Sequence, residues 1–308
     1  MIQTILGPIP ASTLGHCQVH EHVFVEKTPA SETNPDLRFD DAALSEQELL
    51  SYKAAGGVSL CDAQPVGAGR NAKALLALAE ATGVNIVAST GYHLKNFHAG
   101  DYEGRWQDFY DLYCSEMRQG LLTPDGERLT ATAGLVKAAI PAEGAVGIYQ
   151  ERLCAAAKAA ADCGRALMLH TEAGQNAEGA VALCEKAGLA PERILLCHAD
   201  RNAADLAMHL RLAKLGVYLE YDTIARPKYH DEADELRLLK CLLEAGYEER
   251  ILLSLDTTRA RLRAYGGVIG LNHLLTRYLP WLQEQGIDQN TIHTITHANP
   301  ARALRLRP

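Results

Sequence analysis

The sequence predicts a single-domain α/β fold, a (β/α)8 TIM barrel spanning residues 1–308. Three observations predict it. Short apolar runs rich in β-branched residues recur eight times, and longer segments rich in Ala, Leu and Glu with helical period separate them. No GxGxxG turn follows any run, which makes an open doubly wound sheet the weaker alternative. Continuous rather than alternating apolar runs belong to parallel strands covered on both faces.

In chain order the strands are expected at 15–24, 57–62, 84–90, 132–137, 166–170, 193–198, 216–221 and 250–256. Their cores include GVSLCD, VNIVAST, ALMLH, RILLCH and ILLSLD. The first long helix is expected to begin at Ser45, where Ser-Glu-Gln-Glu forms a capping box ahead of Leu49 and Leu50. Further helices are expected over 71–82, 145–163, 175–187, 203–214 and 231–244, with a helical region from about 268. The longest irregular pieces after strands are 26–43 and the stretch around 222–232. In a barrel such loops build the working face.

Composition narrows the partners. A net charge of −8 and an isoelectric point near 5.8 argue against nucleic acid and anionic membranes. The start, Met1 to Leu14, lacks a basic segment followed by an apolar one, and no apolar run approaches the ~18 residues of a membrane span. Eight scattered cysteines without a CxxC pair read as reduced core residues, so the cytoplasm is the expected compartment. The expected partner is a small-molecule substrate, and a homodimer is left open.

The chemistry lies where the runs end. The first ends in His20-Glu21-His22, the fourth in Lys137, the fifth in His170, the sixth in His198 and the eighth in Asp256. Residues two apart on a strand point the same way, so His20 and His22 can grip one ion. A single strand-end histidine is more often a satisfied polar residue than a ligand. Four histidines and an aspartate at such positions are costly to bury together without a cation. They suit zinc, and would accept manganese, cobalt or iron. Lys137 does not fit as an ammonium beside divalent cations. Cys197 is expected on the strand face opposite His198, and no GxSxG elbow supports serine chemistry.

Jointly these residues resemble the phosphotriesterase-related branch of the amidohydrolase superfamily, the branch of the phosphotriesterase-like lactonases. The likeness rests on His20-x-His22, Lys137, HTEAG at 170–174, HADRN at 198–202 and LDTTR at 255–259. Gly69-Arg70-Asn71, Ser89-Thr90-Gly91-Tyr92 and Gly266-Gly267 add to it. The resemblance implies two divalent ions per chain. His20, His22 and Asp256 would hold one, His170 and His198 the other, and Lys137, carboxylated by carbon dioxide, would bridge them as a carbamate. The implied reaction is attack of a metal-bridging hydroxide on a lactone or ester, with Asp256 carrying the proton away.

A mononuclear deaminase of the same superfamily would need no bridging lysine. Phosphotriester or N-acyl amide hydrolysis on the same site is the enzymatic alternative, and a metal-stabilised binding protein without turnover is the alternative of another class. Lys228 and Arg259 resemble two residues of relatives that open phosphorylated sugar lactones, the leading specific substrate. Those relatives carry a tyrosine where this chain has Leu262. After Gly91, Tyr92 and His93 are expected against the substrate, His93 standing where a second tyrosine is common. Arg226 is expected to be a solvated loop charge.

Overall fold

The structure, a computed structural model, describes residues 1–98 and 103–307. Eight parallel strands form one sheet in chain order: β1 (Cys17–Glu21), β2 (Ser59–Asp62), β3 (Asn85–Gly91), β4 (Leu135–Ala139), β5 (Ala166–His170), β6 (Ile194–Cys197), β7 (Tyr218–Tyr221) and β8 (Ile251–Leu253). Each pairs in register with the next; Lys137 of β4, for example, lies beside Gly91 of β3 and Met168 of β5. A helix of ten or more residues follows each of the first seven strands: α1 (Ala42–Ala54), α2 (Ala72–Thr82), α3 (Trp106–Arg118), α4 (Ile148–Cys163), α5 (Ala177–Lys186), α6 (Leu206–Leu215) and α7 (Glu232–Glu244). Helical segments over 274–284 and 289–304 follow β8. Strand periodicity divides the core in two. Leu135, Met168, Leu195 and Leu252 fill the barrel interior, while Val136, Leu167, Leu196 and Leu253 pack under the helices.

The sheet meets itself at a seam between β1 and β8 where side chains do much of the bonding. Asp256 N donates to His20 O at 3.1 Å, and His20 N donates to Ser254 Oγ at 2.9 Å. His22 N donates to Thr257 Oγ1 at 3.1 Å, and Leu255 N donates to Glu21 Oε1 at 2.8 Å. The register of β1 on β2 shifts between Gln18 and Glu21, an irregularity that re-aims the strand end carrying both histidines.

Three motifs have local causes. Gly69 sits at φ 93°, and a Cβ there would lie 2.8 Å from the carbonyl oxygen of Glu26. Gly91 sits at φ 106°, and a Cβ would overlap the carbonyl oxygen of Lys137, so only glycine lets β3 run this close to that lysine. Asn71 caps α2 by accepting from Ala74 N at 2.9 Å.

Two expectations about elements need correction. α1 starts at Ala42, not Ser45, because Asp41 accepts from Ala43 N and Leu44 N and so caps the helix three residues earlier. Ser45 lies inside the helix, and its hydroxyl donates to Val23 O at 2.6 Å. The helix Trp106–Arg118 and an N-terminal hairpin pairing Ile2–Thr4 with Gly7–Ile9 were not expected. No helix among the described residues is long and apolar enough to cross a membrane.

Arg70, next to Gly69, makes a buried, two-pronged ion pair away from the barrel mouth. Its guanidinium donates from Nη1 to Glu116 Oε2 at 2.8 Å and from Nη2 to Glu116 Oε1 at 2.6 Å, and it also reaches Ser89 O and Leu122 O. It thereby joins the loop after β2 to α3 and β3. Breaking such a pair from one side leaves a buried charge, at about 3–5 kcal/mol. Arg70→Met is therefore expected to lower unfolding free energy by about that much, read by urea denaturation. Arg70→Met with Glu116→Leu should recover a large part of it; a double variant no better than the single one would contradict the pairing.

Candidate active site

A cavity of about 310 Å³ opens at the C-terminal end of the barrel. Its floor holds His20, His22, Lys137, His170, His198 and Asp256, so the structure brings together all six residues expected at the metal site. Lys137 lies midway along β4, which runs on two residues past the expected end, and the other five come from the end of a strand or the residues just after it. His22 Nε2 lies 3.4 Å from Asp256 Oδ1, and His20 Nε2 lies 3.7 Å from the same oxygen. Lys137 Nζ lies 3.3 Å from His20 Nε2, and His198 Nε2 lies 2.9 Å from His170 Nδ1. Metal–ligand bonds of about 2.0–2.1 Å in a tetrahedron put ligand atoms about 3.3 Å apart. The donor set and its spacing fit divalent ions.

Holding these groups strains the backbone. His198 at φ 61° and Asp256 at φ 47° adopt the left-handed conformation, which costs a non-glycine residue roughly 1–3 kcal/mol. Ala173 and Ala225, also left-handed, adjoin Glu172 and Arg226 on the cavity wall. The twist at His198 also corrects an expectation. Cys197 does not face away from its neighbour; its Sγ points inward and lies within 4.8 Å of ligand atoms of His20, Glu220 and Asp222. With β6 ending at Cys197 and His198 left-handed, strand alternation no longer separates the two side chains. Burial pushes the Cys197 thiol well up, so it stays protonated.

Two carboxylates under the floor were not foreseen. Glu220 Oε2 faces His20 Nδ1 at 2.9 Å, and Asp222 Oδ1 faces His198 Nδ1 at 2.7 Å. Such contacts fix the ring orientation and leave the other nitrogen free for an ion. The signal was present in the β7 stretch GVYLEYD, where acids two apart end an apolar run and share one face. Burial works against the charge of Asp222, yet His198 and His20 hold its carboxyl well below the usual range. Burial, despite the hydrogen bond to Asp256, lowers His22 to about 4. It also lowers His170 and His198, which keeps these rings unprotonated. For His20, burial and Lys137 pull downward, but hydrogen bonds to Asp222 and Glu220 outweigh them and raise it to about 9. An ion bound there would displace that proton.

The cations of the cavity wall are Arg201 and Arg226. Arg226 is not a solvated charge: its Nη1 lies 3.1 Å from Asp256 Oδ2, and its Nη2 donates to Asp256 O. Arg201 Nη2 lies 3.2 Å from Asp256 Oδ2. Burial alone would raise the Asp256 carboxyl, but Arg226 and the hydrogen bond from His22 hold it well below the usual range. Lys228 is exposed with its ammonium 4.5 Å from the Tyr229 ring, and Arg259 is exposed; neither lines the cavity. The loop turns at left-handed Ala225, which aims Arg226 inward and leaves Lys228 outside. His93 lines the cavity and lies 4.6 Å from the His170 ring, whereas Tyr92 packs behind it against Phe109 and Tyr113. Leu262 is a buried core residue. Val25, Leu37, Phe39, Leu94 and Phe97 supply an apolar wall.

Comparison with known proteins agrees with this geometry. The profile of the Phosphotriesterase family matches residues 1–304. An N-acetyltaurine hydrolase of Xenopus tropicalis is 26% identical over 357 aligned positions, covering 99% of this chain and 98% of the relative. A phospho-furanose lactonase of Mycoplasmopsis synoviae is 27% identical over 322 positions, covering 98% and 91%. Among solved structures, a lactonase from Listeria monocytogenes superposes with a TM-score of 0.93 at 25% identity, over 100% of this chain and 99% of the other.

The carboxylates beneath the rings give a direct test. Asp222→Asn, which keeps the shape and removes the charge, should weaken metal retention by about 10–100-fold. Competition with a chromogenic chelator measures it, and unchanged affinity would remove Asp222 from the support of His198.

Proposed function

The chain belongs to the phosphotriesterase family, whose members are hydrolases, and from that premise we propose that it opens a lactone or ester carrying an anionic group, with a phosphorylated sugar lactone as the leading substrate. The observation that carries this reading is a shared cavity. One wall holds the cluster from His20 to Asp256, and another holds the guanidinium groups of Arg201 and Arg226. An acyl carbon over the floor would leave an anionic substituent within the reach of both arginines, whose forked donors match phosphate or carboxylate.

The donors fit two ions, zinc first, with manganese, cobalt or iron acceptable. His20, His22 and Asp256 would hold one; His170 and His198 would hold the other. When bound, the pair would supply an activated water and a Lewis-acid hold on the carbonyl oxygen. Lys137 is 1% exposed with its amine against an imidazole, a poor place for an ammonium beside such ions. Carboxylation by carbon dioxide would convert it to an anionic bridge. Asp256, kept ionised by its arginines, would take a proton from the attacking water and return it to the leaving oxygen. Val25, Phe39 and Phe97 exclude water beside the substrate.

An N-acyl amide is the second reading. The N-acetyltaurine hydrolase relatives act on an acyl compound with an anionic tail, which the same pair of walls would accommodate. Phosphotriester hydrolysis would be a side activity of the same floor. A binding protein without turnover is disfavoured, because every ligand group and Asp256 are in place. The cytoplasm is the proposed compartment, on the cysteine usage.

Two measurements test this reading. Lys137→Ala should lose most turnover and retain metal poorly while keeping a cooperative melt; activity like that of the unmodified chain would refute the bridge. Arg226→Ala should lower kcat/KM for a phosphorylated lactone by about ten- to a hundredfold, since a charge-assisted contact contributes about 1.5–3 kcal/mol. A neutral lactone serves as the control: loss of the Arg226 support of Asp256 slows both, and the anion contact is read as the further loss seen with the phosphorylated lactone alone. Lys228→Ala and Arg259→Ala should leave both substrates nearly unchanged. A loss selective for the phosphorylated lactone in those two variants, and not in Arg226→Ala, would move the anion to the outer cations.

A further inference from the structure

Behind the loop that carries Arg226 lies a second polar cluster which the hydrolytic site does not use. The loop alternates between two cavities. Arg226 and Tyr229 face the active site, while Ile224, Ala225, Pro227 and His230 face a separate cavity of about 280 Å³. Glu235 and Tyr278 line that second cavity as well. At its inner end, a single imidazole nitrogen meets three oxygens. His230 Nε2 lies 3.0 Å from Thr223 Oγ1, 3.3 Å from Glu235 Oε2 and 3.5 Å from Asp200 Oδ2.

That arrangement is poorly satisfied by protons. One nitrogen carries at most one, so it can donate to only one of the two carboxylates, and the Thr223 hydroxyl has a single proton of its own to give. Asp200 Oδ2 also accepts from Thr223 N at 2.6 Å, but the other three carboxylate oxygens have no such hydrogen bond. Glu235 is 1% exposed and Asp200 fully buried, yet Glu235 Oε1 and Asp200 Oδ1 accept no hydrogen bond. The hydroxyl of Tyr278, 1% exposed on the same cavity, also has no partner. Two carboxylates buried this closely are costly unless a cation joins them.

We propose that Asp200, His230 and Glu235 hold a divalent cation of the zinc class at a site separate from the hydrolytic centre, on the far side of the loop that carries Arg226. One ligand atom from each of the three residues lies within 4.8 Å of the other two. The separations of 3.3 and 3.5 Å from His230 Nε2 match the edge of about 3.3 Å set by bonds of 2.0–2.1 Å in a tetrahedron. One nitrogen and two carboxylate oxygens form a zinc-type donor set, and the cavity leaves a fourth position open to water. The ion would tie three separate pieces of chain: Asp200 after β6, His230 at the end of the β7 loop, and Glu235 in the first turn of α7. The role is structural, holding the loop on whose other face Arg226 meets Asp256.

The test counts ions. The chain is stripped with a chelator, reloaded with zinc, freed of excess by gel filtration and measured for zinc per chain by mass spectrometry. His230→Gln and Glu235→Gln, each nearly isosteric, should contain one zinc fewer than the unsubstituted chain while still hydrolysing substrate. Equal zinc content in all three would overturn the site, with His230 then serving as the cation itself. If either variant fails to melt cooperatively, anomalous diffraction at the zinc edge from the unsubstituted protein decides. A peak among Asp200, His230 and Glu235 supports the site, and none there overturns it. A peak there with none near His20 would support this site while sinking the two-metal reading of the other.

Discussion

The carboxylate of Glu21 ties the last strand of the barrel to the first, and the active site hangs on that tie. It accepts from Leu255 N at 2.8 Å, from Thr257 Oγ1 at 2.9 Å and from Gln18 Nε2 at 2.6 Å. A carboxylate buried this completely is expensive, and burial pushes its pKa up to about 7 against the pull of those hydrogen bonds. An apolar side chain of similar size would avoid that cost but could not hold the seam. Glu21 stands between His20 and His22, and its donors bracket Asp256 in the chain, at Leu255 and Thr257. The bonds that close the sheet thus set the spacing of three candidate ligands drawn from opposite ends of the sequence. Ser254 and Thr257 act in the same sense by capping the backbone N–H groups of His20 and His22.

From that seam inward the site is a balance of charges. Neutral imidazoles line the floor because burial lowers three of them, while Glu220 and Asp222 from beneath hold His20 and His198 in fixed orientation. Above the floor Asp256 is kept ionised by Arg226 and Arg201. Lys137 is the group out of place: a long side chain ending in an amine, 1% exposed, against His20. Buried lysines of this kind are usually paired with a carboxylate or made neutral by their surroundings. Gly91 reinforces the point, since β3 must come close enough to β4 at Lys137 to exclude any Cβ.

The barrel and its floor were legible in the sequence because both rest on local pattern. Parallel strands buried on two faces read as apolar runs, and ligands at their ends interrupt those runs with His, Lys or Asp. What escaped was whatever depended on tertiary context. The helix Trp106–Arg118 has Arg105 where a Ser, Thr or Asp usually caps, with Asp108 three residues on accepting from Arg105 N, and its residues Trp, Phe and Tyr are weak helix formers; its burial stripe of Phe109, Tyr113, Glu116 and Met117 was the signal to weigh instead. The hairpin Ile2–Thr4 with Gly7–Ile9 is too short for periodicity and is fixed by Ile5 N donating to Ile86 O. Cys197 was assigned to the wrong side because alternation fails once His198 turns left-handed. Arg226 was misjudged for a related reason, since nothing in a loop sequence says which way each side chain will turn.

That last failure marks where chemistry and specificity separate in this fold. The floor comes from strand ends, whose direction the pleat dictates, so it changes little without breaking the barrel. The walls come from loops, where one left-handed residue such as Ala225 decides whether an arginine meets substrate or solvent. Relatives of similar length and barrel bear names as different as lactonase and N-acetyltaurine hydrolase. In a barrel the strand ends carry the chemistry and the loops after them carry the variation, which is how one fold hosts such a spread. In this chain the deciding loop is the one after β7. It presents Arg226 to one cavity and His230 to another, so the group facing substrate and the group buried behind it cannot move independently. The backbone of that short segment, turning at left-handed Ala225, thus fixes both the direction of Arg226 toward Asp256 and the placement of His230 behind it.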